Sequence, residues 1–131
     1  MKSMMAMAAL LVALGAAGCQ KEPSYKASPA TAASPAATPA EYTQGETLFN
    51  AHCAKCHGEK AAGTDQGPSF IDKIYEPSHH GDPAFHLAAR GGVRAHHWSY
   101  GDMPPVHDVT PSDVDLIVGY VRWLQRQAGI Q

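Results

Sequence analysis

Cys53-Ala54-Lys55-Cys56-His57 is the stretch on which the reading of this chain turns. Two thiols stand two residues apart, and an imidazole follows the second directly. In an exported protein the pattern C-x-x-C-H reads as c-type haem attachment. The spacing has a chemical reason. Two thiols add to the two vinyl groups of a haem, and two intervening residues bring the sulfurs to those positions. The next residue then lies beneath the iron and offers a ring nitrogen. Other uses of paired cysteines fit less well. A thioredoxin-like redox pair needs no adjacent His and belongs in a βαβ setting, of which there is no sign. A zinc site needs a second pair of ligands at set spacing, and the 8 His of the chain leave that open. A Cys53–Cys56 disulfide leaves His57 without a role.

Upstream of the motif the composition changes twice. Lys2 precedes an uncharged apolar run, Met4 to Leu14, and then small residues lead to Cys19. This is the layout of a secretory signal peptide over residues 1–18, too short for a stable membrane span. Ala16-Ala17-Gly18-Cys19 resembles a bacterial lipoprotein signal, which implies lipidation at Cys19. It departs from the usual pattern in carrying Ala16 where Leu is common. Gln20 in place of Asp leans the expected destination towards the outer membrane, in a periplasmic setting. Residues 20–40 hold 7 Ala, 4 Pro and 5 Ser/Thr in 21 positions. With no large aliphatic side chain this segment cannot offset the entropy of folding, and it reads as an extended tether. The 131-residue chain has a formal net charge of -2, which argues against nucleic acid as a partner.

Residues 41–131 read as one small domain, all-α. Thr43 and Glu46 have the spacing of a capping box, which predicts a helix from about Gln44 into the Cys motif. Asp82-Pro83 predicts a short helix, Pro83 to Arg90, stopped by Gly91-Gly92. Thr110-Pro111 predicts a longer one, with Thr110 as cap and Pro111 in the first turn. Val114, Ile117, Val118, Val121 and Leu124 share one helical face. Leu116, Tyr120 and Trp123 make a second apolar stripe, and Gly129 ends the helix. No stretch alternates like a strand.

With these features together, residues 41–131 resemble a class I cytochrome c, wrapped around one covalently bound haem c. The resemblance implies that the first and last helices cross closely, with Gly45, Phe49 and Tyr120 at the crossing. It implies His57 as the proximal iron ligand and a Met from the loop before the last helix as the distal one. Met103, in Gly101-Asp102-Met103-Pro104-Pro105, is the only Met beyond the signal segment. A His in its place, from among His86, His96 and His97, is the alternative. The resemblance further implies that the carbonyl of a loop proline, here Pro68, accepts from the proximal imidazole. Phe70, Ile71 and Ile74 are expected to line the pocket. Arg90, Arg94, Trp98 and Tyr100 are candidates to donate to the haem propionates.

A thioether is soft and neutral. It favours Fe(II) and raises the reduction potential relative to a second imidazole. Iron ligated on both sides has no open position for substrate, so the expected activity is one-electron transfer between redox protein partners, not catalysis. The rival functions are a dedicated haem subunit of an oxidoreductase complex, and a small-ligand sensor should Met103 not ligate. His52, His79, His80 and His107 read as surface residues. A copper or zinc site built from His79-His80 and His96-His97 is a further possibility that only the fold can test.

Overall fold

Helix α1 spans Thr43–His52, α2 Ala54–His57, α3 Asp82–Gly91 and α4 Pro111–Gln127. The structure, a computed structural model, describes residues 37–131. The expected signal segment, Cys19 and most of the tether lie outside the described residues. Short 3-10 turns at Ala40–Tyr42, Glu59–Ala61 and Lys73–Tyr75 connect the helices. Among the described residues the sole extended pairing is an antiparallel bridge between Val93 and Met103. The fold is all-α, as the sequence predicts. No described helix is long and apolar enough to cross a membrane.

Helix α4 follows its sequence signals closely. Thr110 and Asp113 form a reciprocal capping box: the Asp113 N–H donates to Thr110 Oγ1 at 3.2 Å and the Thr110 N–H to Asp113 Oδ2 at 2.9 Å. These bonds occupy donors that a helix start would otherwise leave bare. At the other end Gly129 takes φ +78. Its N–H reaches the Arg126 carbonyl at 3.1 Å, and that of Ile130 reaches Gln125 at 2.9 Å. The paired bonds make a Schellman stop, which favours glycine at the left-handed position.

Helix α1 begins differently from the expectation. Its first residue is Thr43, and no side chain caps it. The chain enters from the 3-10 turn, so the Tyr42 N–H already has the Pro39 carbonyl and the Thr43 N–H the Ala40 carbonyl. The Thr43 N–H, which a capping box would hand to the Glu46 carboxylate, is thus already bonded. Thr43 Oγ1 donates back to the Pro39 carbonyl at 3.3 Å, and Glu46 turns inward to accept from the Tyr120 hydroxyl at 3.2 Å. Helix α3 starts at Asp82, one residue before Pro83, and ends at Gly91.

Helices α1 and α4 make the principal contact. A Cβ built on Gly45 would stand 2.1 Å from the Leu116 carbonyl oxygen and 3.0 Å from Tyr120 Cβ. Glycine therefore sets how close the two backbones come. Around this point Phe49, Ile117, Tyr120, Val121, Trp123 and Leu124 bury together with Ala61 and Phe70. The Phe49 and Tyr120 rings lie 5.7 Å apart. Burial, and next to it the Glu46 charge, raises the Tyr120 pKa.

Gly45→Ala separates the two forces at this position. Helix propensity alone favours alanine by about 1 kcal/mol, whereas overpacking against a backbone oxygen costs about 3 kcal/mol. The expected outcome is net destabilisation of about 2 kcal/mol in denaturant unfolding of the haem-loaded protein. A stabilised variant would mean that the helices do not cross this closely.

A candidate cofactor site around His57

Helix α2 is one turn long, and that turn organises the motif. The His57 N–H donates to the Cys53 carbonyl at 3.0 Å, and the Cys56 N–H to the same oxygen at 3.2 Å. Cys53 and Cys56 are thus three residues apart on one turn and share a side of it. Both thiols are free and half-buried. Burial, and next to it the neighbouring Cys56, pushes the Cys53 pKa up to about 11. The burial thus favours the neutral S–H form of Cys53, which can add across a vinyl group to give a thioether.

His57 is buried, and its Nδ1 lies 2.9 Å from the Pro68 carbonyl oxygen. A carbonyl only accepts, so Nδ1 carries the proton and Nε2 keeps a free lone pair. Burial lowers the His57 pKa, and the bond to Pro68 partly opposes it. The imidazole is thereby held neutral, in the tautomer a metal requires.

The loop that presents Pro68 is braced from the motif itself. The Gly63 N–H donates to the His57 carbonyl, and Thr64 Oγ1 to the Cys56 carbonyl, each at 2.6 Å. Ser69 Oγ and the Phe70 N–H both reach the Ala61 carbonyl, at 3.0 and 2.9 Å. A Cβ on Gly67 would meet the Cys56 carbonyl oxygen at 2.8 Å, so a glycine lets the loop return this close. Phe70 lays its ring on the His57 imidazole, 4.1 Å between centroids, and contacts Phe49, Tyr75 and Phe85. Ile71 packs half-buried on the core, and Ile74 is also half-buried.

Two residues that the sequence reading did not single out hold this loop to α4. Gln125 is 1% exposed; its Nε2 donates to the Phe70 carbonyl at 2.9 Å and the Tyr75 carbonyl at 3.0 Å. Its Oε1 accepts from Arg122 Nη1 at 2.7 Å. Arg122 also bonds the Tyr75 and His80 carbonyls, and its Nε meets Asp82 Oδ1 at 2.8 Å. The signal was there: Gln125 falls four residues after Val121 and eight after Ile117, on the apolar face of α4. A polar residue in that stripe asks for a buried partner.

The segment carrying Met103 is pinned at its base. Val93 and Met103 exchange N–H···O bonds of 3.0 and 2.9 Å. Gly92, at φ +74, allows the approach, since a Cβ there would stand 2.4 Å from the Met103 carbonyl oxygen. Asp102 Oδ1 accepts from the Ala95 N–H at 2.8 Å, and the Val106 N–H reaches the Ala89 carbonyl at 2.8 Å. Met103 itself is half-buried. A groove of about 390 Å³ runs past Pro68, Ser69, Asp72, Trp98 and Tyr100. Arg90 and Arg94, exposed, are not among its walls.

The remaining histidines divide. His86 Nε2 meets Asp115 Oδ1 at 2.9 Å. His79, His80, His96 and His97 come together although they lie in two pairs far apart in the chain. His97 has its pKa lowered by desolvation first and then by the neighbouring His96, His80 and His79.

Two half-buried free cysteines on one turn, beside a buried imidazole with a free Nε2, form a donor set that fits a covalently held haem. Residues 42–125 match the Cytochrome c family, and the chain belongs to it. It is accordingly a haem-based electron carrier with covalently bound haem c. Comparison with curated proteins and with solved structures returned no match.

Gln125→Leu tests the brace behind the site. The change leaves the Phe70 carbonyl without its donor and removes a partner from Tyr75 and Arg122. A loss of about 2–3 kcal/mol is expected in unfolding of the haem-loaded protein, against less than about 0.5 kcal/mol for the exposed Gln127→Leu.

Proposed function

We propose that Cys53 and Cys56 bind the haem through thioether bonds, that His57 Nε2 is its proximal ligand and Met103 its distal one. On this reading the protein is an exported one-electron carrier, tethered to a bacterial membrane by a lipid on Cys19 and serving redox protein partners. The observation that carries it is the bond from His57 Nδ1 to the Pro68 carbonyl, which leaves Nε2 as the donor atom of a rigid, neutral imidazole. When bound, the haem would supply a one-electron Fe(III)/Fe(II) couple that accepts an electron from a donor protein and gives it to an acceptor.

The residues have separable tasks. Cys53 and Cys56 fix the group's position covalently. Pro68 orients His57 and raises the basicity of its other nitrogen. Phe70 covers the imidazole face and keeps water from it. The bridge to Val93 fixes the backbone of Met103, and Pro104 and Pro105 restrict the chain beyond it. Support for Met103 over His86 and His97 comes from the other partners of those imidazoles: His86 Nε2 pairs with Asp115, and His97 Nε2 faces His79. Trp98 and Tyr100, beside Pro68 in the groove, are the better placed of the four propionate candidates.

The optical spectrum of the haem-loaded protein tests the ligand set. A c-type pyridine haemochrome, a weak far-red band in the ferric state and no response to carbon monoxide are expected. Met103→Ala is expected to abolish that band, open the iron to carbon monoxide and lower the reduction potential. A band that survives in Met103→Ala would remove Met103 as ligand.

The tether has its own test. Cells given a tagged fatty acid are expected to label the wild-type protein and not Cys19→Ser, and Cys19→Ser is expected to leave the membrane fraction. Equal labelling of both would remove the anchor from the reading.

A further inference from the structure

The four histidines left over from the haem site form a surface cluster of their own. His79 and His80 sit just before α3, while His96 and His97 sit on the segment that leads to Met103. His79 Nε2 and His97 Nε2 face each other at 3.3 Å. One ring nitrogen from each of His79, His80 and His97 lies within 4.8 Å of the others. The ring centroids are 4.7 Å apart for His79 and His80, 5.2 Å for His79 and His97, and 5.1 Å for His80 and His97. His96 stands beside them, 4.3 Å from His97.

We propose that His79, His80 and His97 form a binding site for a divalent ion of the Zn²⁺/Cu²⁺ class, separate from the haem iron. Three arguments carry it. The first is distance. Two nitrogens on a tetrahedral zinc, each about 2.0–2.1 Å from the metal, are about 3.3–3.4 Å apart. The His79–His97 separation is already that edge, and His80 has at most about 1.5 Å to close. The second is tautomer. His80 Nδ1 donates to the Ile74 carbonyl at 2.7 Å, which leaves its Nε2 free to ligate. A backbone carbonyl behind a ligating imidazole is a common support of metal-bound histidine. His96 Nδ1 is committed in the same way to the Arg94 carbonyl at 2.8 Å. The third is mounting. The His80 carbonyl accepts from Arg122 of α4, so one wall of the site is attached to the core. His79 and His97 are exposed and can adjust around an ion. A nitrogen-only set of three imidazoles suits zinc and copper, not magnesium or calcium. The fourth position is open to water.

The site ties two segments together. An ion held there links the start of α3 to the segment that carries Met103, across 17 residues from His80 to His97.

The test is calorimetric titration of tag-free, haem-loaded protein with Zn²⁺ alone. One ion per chain is expected. His79→Gln/His97→Gln is expected to weaken binding at least about 100-fold. Both positions are exposed, and an unchanged haem spectrum verifies that this variant is folded. His52→Gln/His107→Gln, outside the cluster, is expected to bind as the wild type does. Absence of saturable binding at one equivalent, or equal affinity in His79→Gln/His97→Gln, would overturn the proposal. The haem spectrum is read independently, so failure here leaves the electron-carrier reading in place.

Discussion

The 2.9 Å bond between His57 Nδ1 and the Pro68 carbonyl is the contact to which the other restraints lead. A metal-binding imidazole must be neutral, must present the correct nitrogen, and must not rotate. One hydrogen bond meets all three demands, provided its acceptor is held still. Pro68 cannot be fixed by its own backbone N–H, because proline has none. Its position comes from its neighbours instead: Thr64 and Gly67 return the loop to the Cys56 carbonyl, and Ser69 and Phe70 grip the Ala61 carbonyl. Gln125 of α4 then holds Phe70 through its carbonyl. A chain of hydrogen bonds thus runs from the longest described helix to a single ring nitrogen.

This chain explains why the last helix has a mixed face. An α4 stripe of aliphatic residues alone would bury as much surface against α1. It would leave the Phe70 and Tyr75 carbonyls unpaired in a dry setting, at a cost of about 1–3 kcal/mol each. Arg122 and Gln125 remove that cost together, and no buried side-chain polar atom among the described residues lacks a partner. Their presence makes the packing directional. Apolar contact between α1 and α4 tolerates sliding, whereas three carbonyls received by two side chains define one register.

How much of this was legible depended on whether the information was local. The C-x-x-C-H run, the Thr110 cap with Pro111 and the Val114-to-Leu124 stripe are short-range patterns, and they appear in the structure where the sequence put them. The Thr43–Glu46 pattern is equally local, and there the structure differs. Its spacing is right, but the 3-10 turn ahead of it supplies the backbone bonds, and Tyr120, 74 residues on, takes the carboxylate. Tertiary competition for a side chain cannot be read from spacing. Arg122 and Gln125 carried a faint signal as polar residues in an apolar stripe, but their acceptors are backbone carbonyls, which every residue has. The histidine pairs are the extreme case. Sequence separates them by a whole helix, and only the return of the 92–103 segment beside the start of α3 brings them together.

That return has a further physical meaning, because the segment is held at one end and adjustable at the other. Near Met103 it is locked by the Val93 bridge and by Gly92, whose missing side chain leaves room for the Met103 carbonyl. Near His96 and His97 it is exposed, and its contacts to His79 and His80 are imidazole to imidazole. On the proposed ligand set the same few residues therefore link two demands of opposite character: a thioether held in place on the iron, and a nitrogen cluster whose rings need up to about 1.5 Å of freedom to close on an ion. The aromatic contacts continue the connection on the other side. His57 stacks on Phe70 at 4.1 Å, Phe70 meets Tyr75 at 4.9 Å, and Tyr75 meets His80 at 5.1 Å. The cluster thus reaches the two proposed iron ligands along two routes, the backbone of the Met103 segment and the ring sequence behind His57. An ion that drew His80 and His97 together would act on both routes at once, the Met103 segment and the rings behind His57.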